Sequence, residues 1–311
     1  MKKPKITVAT LNYNASEATI EFIESLKKQT YKNFDVLVID NNSQEDDFNK
    51  LRHYYKRIKG IKIRLIRLEK NLGNSAGLNT ALDHIKTAYI LFSDNDIVLD
   101  KNCIELLIEP FLSGKYKRIA VTTPTILNYY NGGLYSGRNY LNAFGQANRL
   151  NRVYSDENQP VKMLSGACFI IKKSVLNDVG HLYCSEYFAY YEDVDLAWRI
   201  YNKKYQQIYV PKAIVRHKIG TVSKKHKRMR IFLFMLNSRN KYLTFYRNLT
   251  GFRFLLILNV LLFFDFMKFL KLLVRGEIKK SLAIPLSLIN FLLIINRVKY
   301  NTKNGFSFLG Y

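Results

Sequence analysis

No uninterrupted apolar run in the 311-residue chain reaches the roughly 18 residues of a spanning helix, which weighs against a polytopic membrane protein. Cysteine is scarce. Cys103, Cys168 and Cys184 are odd in number and far apart, which excludes a disulfide framework or a four-cysteine zinc site and fits a reducing compartment. Neither G-x-G-x-x-G nor G-x-x-x-x-G-K-[ST] occurs, so the dinucleotide fingerprint and the P-loop are both missing. The apolar run at 6–9 is too short for a signal peptide, so the N-terminal part is expected in the cytosol. Acidic residues all but vanish in the last third. Residues 201–311 hold 22 Lys/Arg against only Asp265 and Glu277, whereas the first 200 hold 27 against 22 acids. Of the net charge of +25, +20 therefore belongs to the tail, and such a tail implies an anionic surface, either a membrane or a nucleic acid.

What is present supports a large core, with 48% hydrophobic and 14% aromatic residues. Short apolar, β-branched runs at 5–11, 34–39, 61–68 and 88–92 read as strands. Helical patterns separate them, over 16–26 and 46–59, and a loop over 71–77 runs into a third helix that ends near Lys86. Strand and helix in alternation with short links predict parallel strands joined by right-handed crossovers. Ligands of such sheets sit beyond the carboxyl ends of the strands, so the polar clusters 12–14, 40–43 and 94–96 should meet in one crevice. Beyond residue 120 the pattern loosens. Residues 128–160 read as a substrate-facing insertion of long loops or irregular strands, 161–172 as a strand interrupted at Gly166, and 207–215 as a last strand just before His217.

Several residues could carry chemistry. Asp94-Asn95-Asp96 directly follows a buried strand, and two carboxylates one residue apart can grip a divalent cation that holds a diphosphate; a solvated turn is the plainer alternative. Glu192-Asp193-Val194-Asp195 opens a helix, where a carboxylate can serve as general base or merely cap the first turn. His217, flanked by Arg216 and Lys218, is expected to stay neutral and so available as a ligand. Gly73 and Gly77 could let backbone approach a ribose or phosphate. Trp198, inside the helix, reads as core.

The order of these segments resembles the family 2 glycosyltransferases, inverting enzymes of the GT-A fold. The likeness covers residues 4–223 and rests on TLNYN at 10–14, VIDNNS at 38–43, NLGNSAGLN at 71–79, SDND at 93–96, SGACFIIKKSVLNDVG at 165–180, YFAYYEDVDLAWRI at 187–200 and HKIGTVS at 217–223. It implies an α/β fold, a Rossmann-like mixed sheet flanked by helices that binds a nucleotide-diphosphate sugar. By the same resemblance, Thr10, Tyr13, Asp40, Asn41, Asn71, Gly73, Gly77 and Asp94 would line the donor pocket. Asp96 and His217, with Asp94, would hold Mn2+ or Mg2+. Asp193 would be the catalytic base, and Gly166, Ala167 and Glu192 would border the acceptor. Asn41 stands where many relatives carry a second Asp, and DNNS is similar to rhamnosyltransferase-like members. The donor would be dTDP-, UDP- or GDP-linked, and the acceptor a glycan or lipid-linked sugar of cell-surface polysaccharide or glycoconjugate synthesis.

Residues 224–311 fall outside that likeness and form a second region. Two uncharged stretches, 254–264 and 281–296, both fall short of a span, and Pro285 breaks the second. Lys268, Lys271 and Arg275 recur among apolar residues, as in helices that lie in an anionic membrane interface. The chain is therefore expected at the cytoplasmic face of the cell membrane, as a peripheral or monotopic protein. A helical subdomain or dimer interface is the competing account of the tail. For the whole chain, an inactive GT-A scaffold and a basic nucleic-acid-binding protein compete. The long aliphatic runs between the bases, and the want of any helix-turn-helix or RNP pattern, disfavour nucleic acid as a partner.

Overall fold

The computed structural model describes residues 3–141, 147–149, 155–219 and 227–298. The chain begins with β1 (Ile6–Asn12), whose Ile6, Val8 and Ala9 are wholly buried, as a strand covered on both faces demands. After it come α1 (Ser16–Lys27), β2 (Phe34–Asp40), α2 (Glu45–Arg57), β3 (Ile63–Arg67), α3 (Gly73–Ala81) and β4 (Tyr89–Ser93). These strands lie side by side in parallel as β3-β2-β1-β4. The alternating basic residues of β3 place it at the sheet edge, as its pattern predicts.

The second half makes the sheet mixed. Its elements are β5 (Ile97–Leu99), α4 (Cys103–Leu112), β6 (Ile119–Asn128), β7 (Leu134–Ser136), β8 (Asn139–Leu141), β9 (Ala147–Arg149), β10 (Gln159–Val161), β11 (Cys168–Lys172), α5 (Val175–Val179), α6 (Glu192–Asn202) and β12 (Gln206–His217). β11 runs antiparallel between β4 and β6, and β12 pairs in parallel with β6. The strand expected over 161–172 is two strands, because the segment carrying Gly166 turns between β10 and β11. The insertion at 128–160 contains β7, β8, β9 and the start of β10, with 142–146 and 150–154 outside the described residues.

Two apolar clusters fill the two faces of the sheet. One holds Phe22, Leu26, Val36 and Ile104, the other Ile39, Phe92, Phe169 and Leu196. The tail adds α7 (Lys227–Asn248), α8 (Gly251–Val274) and α9 (Ile278–Ile294). A third cluster joins residues on both sides of position 223. In it Tyr187 and Trp198 pack with Tyr242, Phe245, Phe254 and Phe291, and Trp198 meets Phe245 edge-on at 5.5 Å. Trp198 is core, as its place in the helical pattern implied.

α9 departs from expectation. It runs through Pro285 without a break, and a short 3-10 turn extends it to Arg297. The resulting 20-residue segment, Ile278–Arg297, has a mean hydropathy of 1.8 and is long and apolar enough to cross a membrane. The sequence count fell short because it stopped at the terminal bases, which the helix includes.

Candidate active site

Parallel pairing aligns Asn12 with Asp40, and β4, paired at Phe92 with Ala9, ends one residue later in Ser93, so the loops that follow these strands open at the same end of the sheet. They enclose a cleft of about 310 Å3. Asp94, Asn95 and Asp96 line it together with Tyr13, Asn41, Asn71 and Gly73, while Phe188 and Phe232 add apolar surface. A cavity of about 580 Å3 at the opposite edge of the sheet, beside Lys5, Lys62 and Lys86, is larger but has Asp35 as its single lining acid. Size does not mark the chemistry here.

Asp94 is set by its backbone, whose N–H donates to the Ala167 carbonyl at 2.8 Å. Asn95 is tied down by its amide, which donates to Thr19 Oγ1 at 2.8 Å. His217, the last residue of β12 rather than a residue beyond it, brings Nε2 to 3.0 Å from Asp96 Oδ1 and 3.9 Å from Asp94 Oδ2. The three side chains place their ligand atoms within 4.8 Å of one another. Burial, and next the negative charge of Asp96, raise the Asp94 carboxyl above its usual range. The cations beside His217 in sequence act elsewhere: Arg216 pairs with Asp100 and Lys218 with Glu21. The Tyr135 ring packs edge-on against the His217 imidazole, with ring centres 5.6 Å apart.

Glu192 and Asp193 begin α6, near enough that the charge of Asp193 also raises the Asp94 carboxyl. The Gly166 N–H donates to Asp193 Oδ2 at 3.2 Å, and the Val194 N–H donates to Oδ1 at 2.9 Å. A Cβ at Gly166 would come 2.8 Å from the Asp193 Cβ, so the bare glycine is what lets this carboxylate seat. Glu192 accepts from the Asn74 amide at 2.7 Å through Oε1, while its buried Oε2 has no hydrogen-bond partner among the described residues. Burial, then Asp193, push its carboxyl well above the normal range.

Other expected site residues sit differently. Thr10 is fully buried in β1 and does not line the cleft. Asp40 is also wholly buried, and its oxygens accept from Asn12 Nδ2 at 2.8 Å and Ser43 Oγ at 2.6 Å, so it braces the wall. Asn41 does reach the cleft, yet its amide donates to Asn71 Oδ1 at 2.9 Å and its carbonyl accepts from the Leu72 N–H. The glycines answer to protein neighbours. At Gly73, with φ of +77°, a Cβ would meet the Phe188 ring at 2.5 Å, and at Gly77 the Leu11 side chain at 2.8 Å. Ala167 packs against the core beside Asp94. Asn74, Phe188 and Phe232 were not singled out from the sequence. Asn74 lay inside a noted motif, but nothing local announced that it reaches a residue 118 positions away.

Residues 7–180 match the family model described as glycosyl transferase family 2, more than half of the chain. The chain belongs to glycosyl transferase family 2. Among this family 2 chain's relatives, the amylovoran biosynthesis glycosyltransferase AmsB of Erwinia amylovora is 36% identical over 98 residues, 31% of this chain and 32% of that protein. That match spans about a third of the relative's length. The N-acetylglucosaminyl-diphospho-decaprenol L-rhamnosyltransferase of Mycobacterium tuberculosis is 23% identical over 68% of this chain and 75% of its own. Among solved structures, the mannosyltransferase PcManGT from Pyrobaculum calidifontis, in complex with GDP-Man and Mn2+, superposes with a TM-score of 0.57 at 15% identity. It covers 96% of the family 2 chain and 77% of its own. The mixed sheet with flanking helices is the GT-A fold.

Proposed function

We propose that the chain transfers a sugar, with inversion, from a nucleotide-diphosphate donor to a hydroxyl of a glycan or lipid-linked acceptor in cell-surface polysaccharide or glycoconjugate synthesis. The observation that carries this reading is the Asp94-Asp96-His217 group in the strand-end cleft, with Asp193 close enough for its charge to act on Asp94. Two carboxylates and an imidazole suit Mn2+ or Mg2+, and the crowded negative charge that raises Asp94 is what a cation would relieve. Asp94, Asp96 and His217 are the residues that would hold it; when bound, a divalent ion supplies positive charge for the departing diphosphate. Tyr13 and Asn41 lie where they can border the nucleoside, for which dTDP, UDP and GDP are the candidates.

Asp193 takes the proton from the acceptor hydroxyl as that oxygen attacks the anomeric carbon. The N–H groups of Gly166 and Val194 fix the carboxylate, leaving it little rotation to lose. Glu192, held protonated towards neutral pH by burial and by Asp193, adds no second full charge beside the base. Nucleoside diphosphate release from a panel of UDP-, GDP- and dTDP-sugars, with Mn2+ and then with EDTA, tests the reading. Metal-dependent release that disappears in Asp96→Ala supports it; release indifferent to both sinks the metal assignment.

The tail seats the enzyme on the anionic cytoplasmic leaflet. α8 and α9 turn Leu255, Leu256, Phe263, Phe266, Leu292 and Leu293 to the outside, each more than half exposed. Arg253, Lys271, Lys279 and Lys280 lie on the same two helices and Arg275 in the turn between them, a composition suited to acyl chains beneath acidic headgroups. Co-sedimentation with anionic but not neutral vesicles tests this placement, and equal binding to both would remove the charge argument.

A further inference from the structure

The segment leading into the acidic pair is under backbone strain. Phe188, Tyr190 and Tyr191 have φ of 60°, 70° and 69°, the left-handed region that costs a side-chain-bearing residue about 1–2 kcal/mol. Three such residues in four positions persist only if their surroundings over-determine them. α3 supplies one hold, since the N–H groups of Asn74 and Ser75 donate to the Phe188 carbonyl. α7 supplies the rest. The Asn240 amide, wholly buried, donates to the carbonyls of Tyr187, Ala189 and Tyr190 at 3.0, 2.7 and 2.8 Å. Arg239 donates to the carbonyls of Glu186 and Tyr187, and its guanidinium also donates to Asn240 Oδ1, which orients that amide.

One turn on, Thr244 Oγ1 meets the Tyr187 hydroxyl at 2.8 Å. A further turn along, Arg247 Nε and Asn248 Nδ2 both donate to Asp195 Oδ1, at 3.0 and 2.8 Å. Asn240, Thr244 and Asn248 are spaced four apart and so form one stripe on α7. This stripe grips the chain before Asp193 at 187–190 and after it at Asp195. The carboxylate sits between two clamps on a single helix.

We infer that Asn240 and Arg239 are positioning residues for the acceptor-activating carboxylate, acting through the left-handed turn at 188–191 and touching neither donor nor acceptor. The inference rests on the reading of Asp193 as the base. Its consequence is that α7 belongs to the catalytic apparatus and is more than a connection to the outer helices. A displacement on the scale of an ångström at a reacting group can cost about 100-fold in rate, so the clamp should be read in turnover and not in donor binding.

The test compares Asn240→Asp, which keeps size but loses every amide donor, with Arg239→Lys, which keeps charge but loses the forked geometry. Each is assayed for nucleoside diphosphate release from UDP-glucose, UDP-GlcNAc, GDP-mannose and dTDP-rhamnose with Mn2+, and for amide hydrogen exchange over residues 184–195. The expected result is a fall in kcat of about 10- to 100-fold at unchanged donor KM, with faster exchange at 186–191 and unaltered exchange in β1 and β4. An unchanged kcat, or a kcat and KM that worsen together with exchange rising across the sheet, overturns the proposal. Arg239→Lys decides if Asn240→Asp does not fold, and the exchange measurement needs no donor. Asp193→Asn separates the two readings. If it turns over donor like the parent, the base reading falls and takes this one with it. If it is silent while Asn240→Asp keeps the parent kcat, only the clamp falls.

Discussion

Glu192 and Asp195 lie one helical turn apart on α6, both buried, and are treated in opposite ways. Asp195 is surrounded by cations and donors: Arg199 Nε at 2.9 Å, Arg247 Nε at 3.0 Å and the Asn248 amide at 2.8 Å. Burial alone would raise its carboxyl, but the two guanidiniums outweigh that and hold it far below the usual range. Glu192 has an amide donor in Asn74 and a carboxylate neighbour in Asp193, and burial followed by that neighbour pushes its carboxyl up. The contrast shows that the fold can neutralise an acid on this helix completely. It does so at the acid that joins α6 to α7, and leaves the Glu192 carboxyl raised three residues earlier on the same helix.

The sharpest way to break the comparison is at the residue between the two. Asp193→Asn should lower turnover by about 10²- to 10⁴-fold, the usual worth of a general base, with thermal stability held; sugar-transfer kinetics and a melting curve check both. Asp195→Asn should do the reverse. It leaves two buried guanidiniums short of charge and should cost about 3–5 kcal/mol, read by denaturant unfolding. Gly166→Ala should come next, at about 1–3 kcal/mol, because the new Cβ meets the Asp193 Cβ at 2.8 Å and one of the two must shift. Turnover per folded molecule should fall with it.

Acid titration sharpens the same contrast. His181, lowered from 6.5 to about 4 by burial and then by Arg199, is neutral in the fold and accepts from Arg247 through Nε2. The unfolded chain takes up a proton there first, so stability should decline as pH falls from 6.5 towards 4. The share owed to Asp195 is full above its unfolded value of 3.8 and is lost only below it. The melting temperature of the parent, taken relative to His181→Gln, should therefore fall between pH 6.5 and pH 4, and Arg247→Met should change that slope. The smallest effect belongs to Glu192→Gln. The glutamate's raised carboxyl costs stability as pH climbs above its unfolded range, so the amide should raise the melting temperature slightly in alkaline buffer and leave it unchanged in acid.

The parts of this arrangement that follow local rules were legible beforehand. The strand-helix alternation placed Asn12–Asn14, Asp40–Ser43 and Asp94–Asp96 at one end of the sheet, and the cleft does gather Tyr13, Asn41, Asp94 and Asp96. Asp40 is the instructive exception. Its position was read correctly, but which way its carboxyl faces depends on Asn12 and Ser43, whose hydrogen bonds only the folded loop reveals. The α7 stripe was invisible for another reason. Arg239, Asn240, Arg247 and Asn248 sit in a strongly basic tail, where composition spoke for an anionic surface and hid four side chains turned inward on α6 and its preceding loop. The helix length of α9 was missed because charged ends were excluded from the count.

The contact between Gly73 and Phe188 also bears on how this chain can diverge. A side chain at 73 would collide with the Phe188 ring at 2.5 Å and with its carbonyl oxygen at 2.7 Å, so trimming the ring relieves only half of the conflict. The other half is backbone. Among homologous sequences the two positions should therefore be inherited as a unit: where the glycine is replaced, the whole turn at 188–191 should differ in length or composition as well, and single substitutions at 73 should be rare.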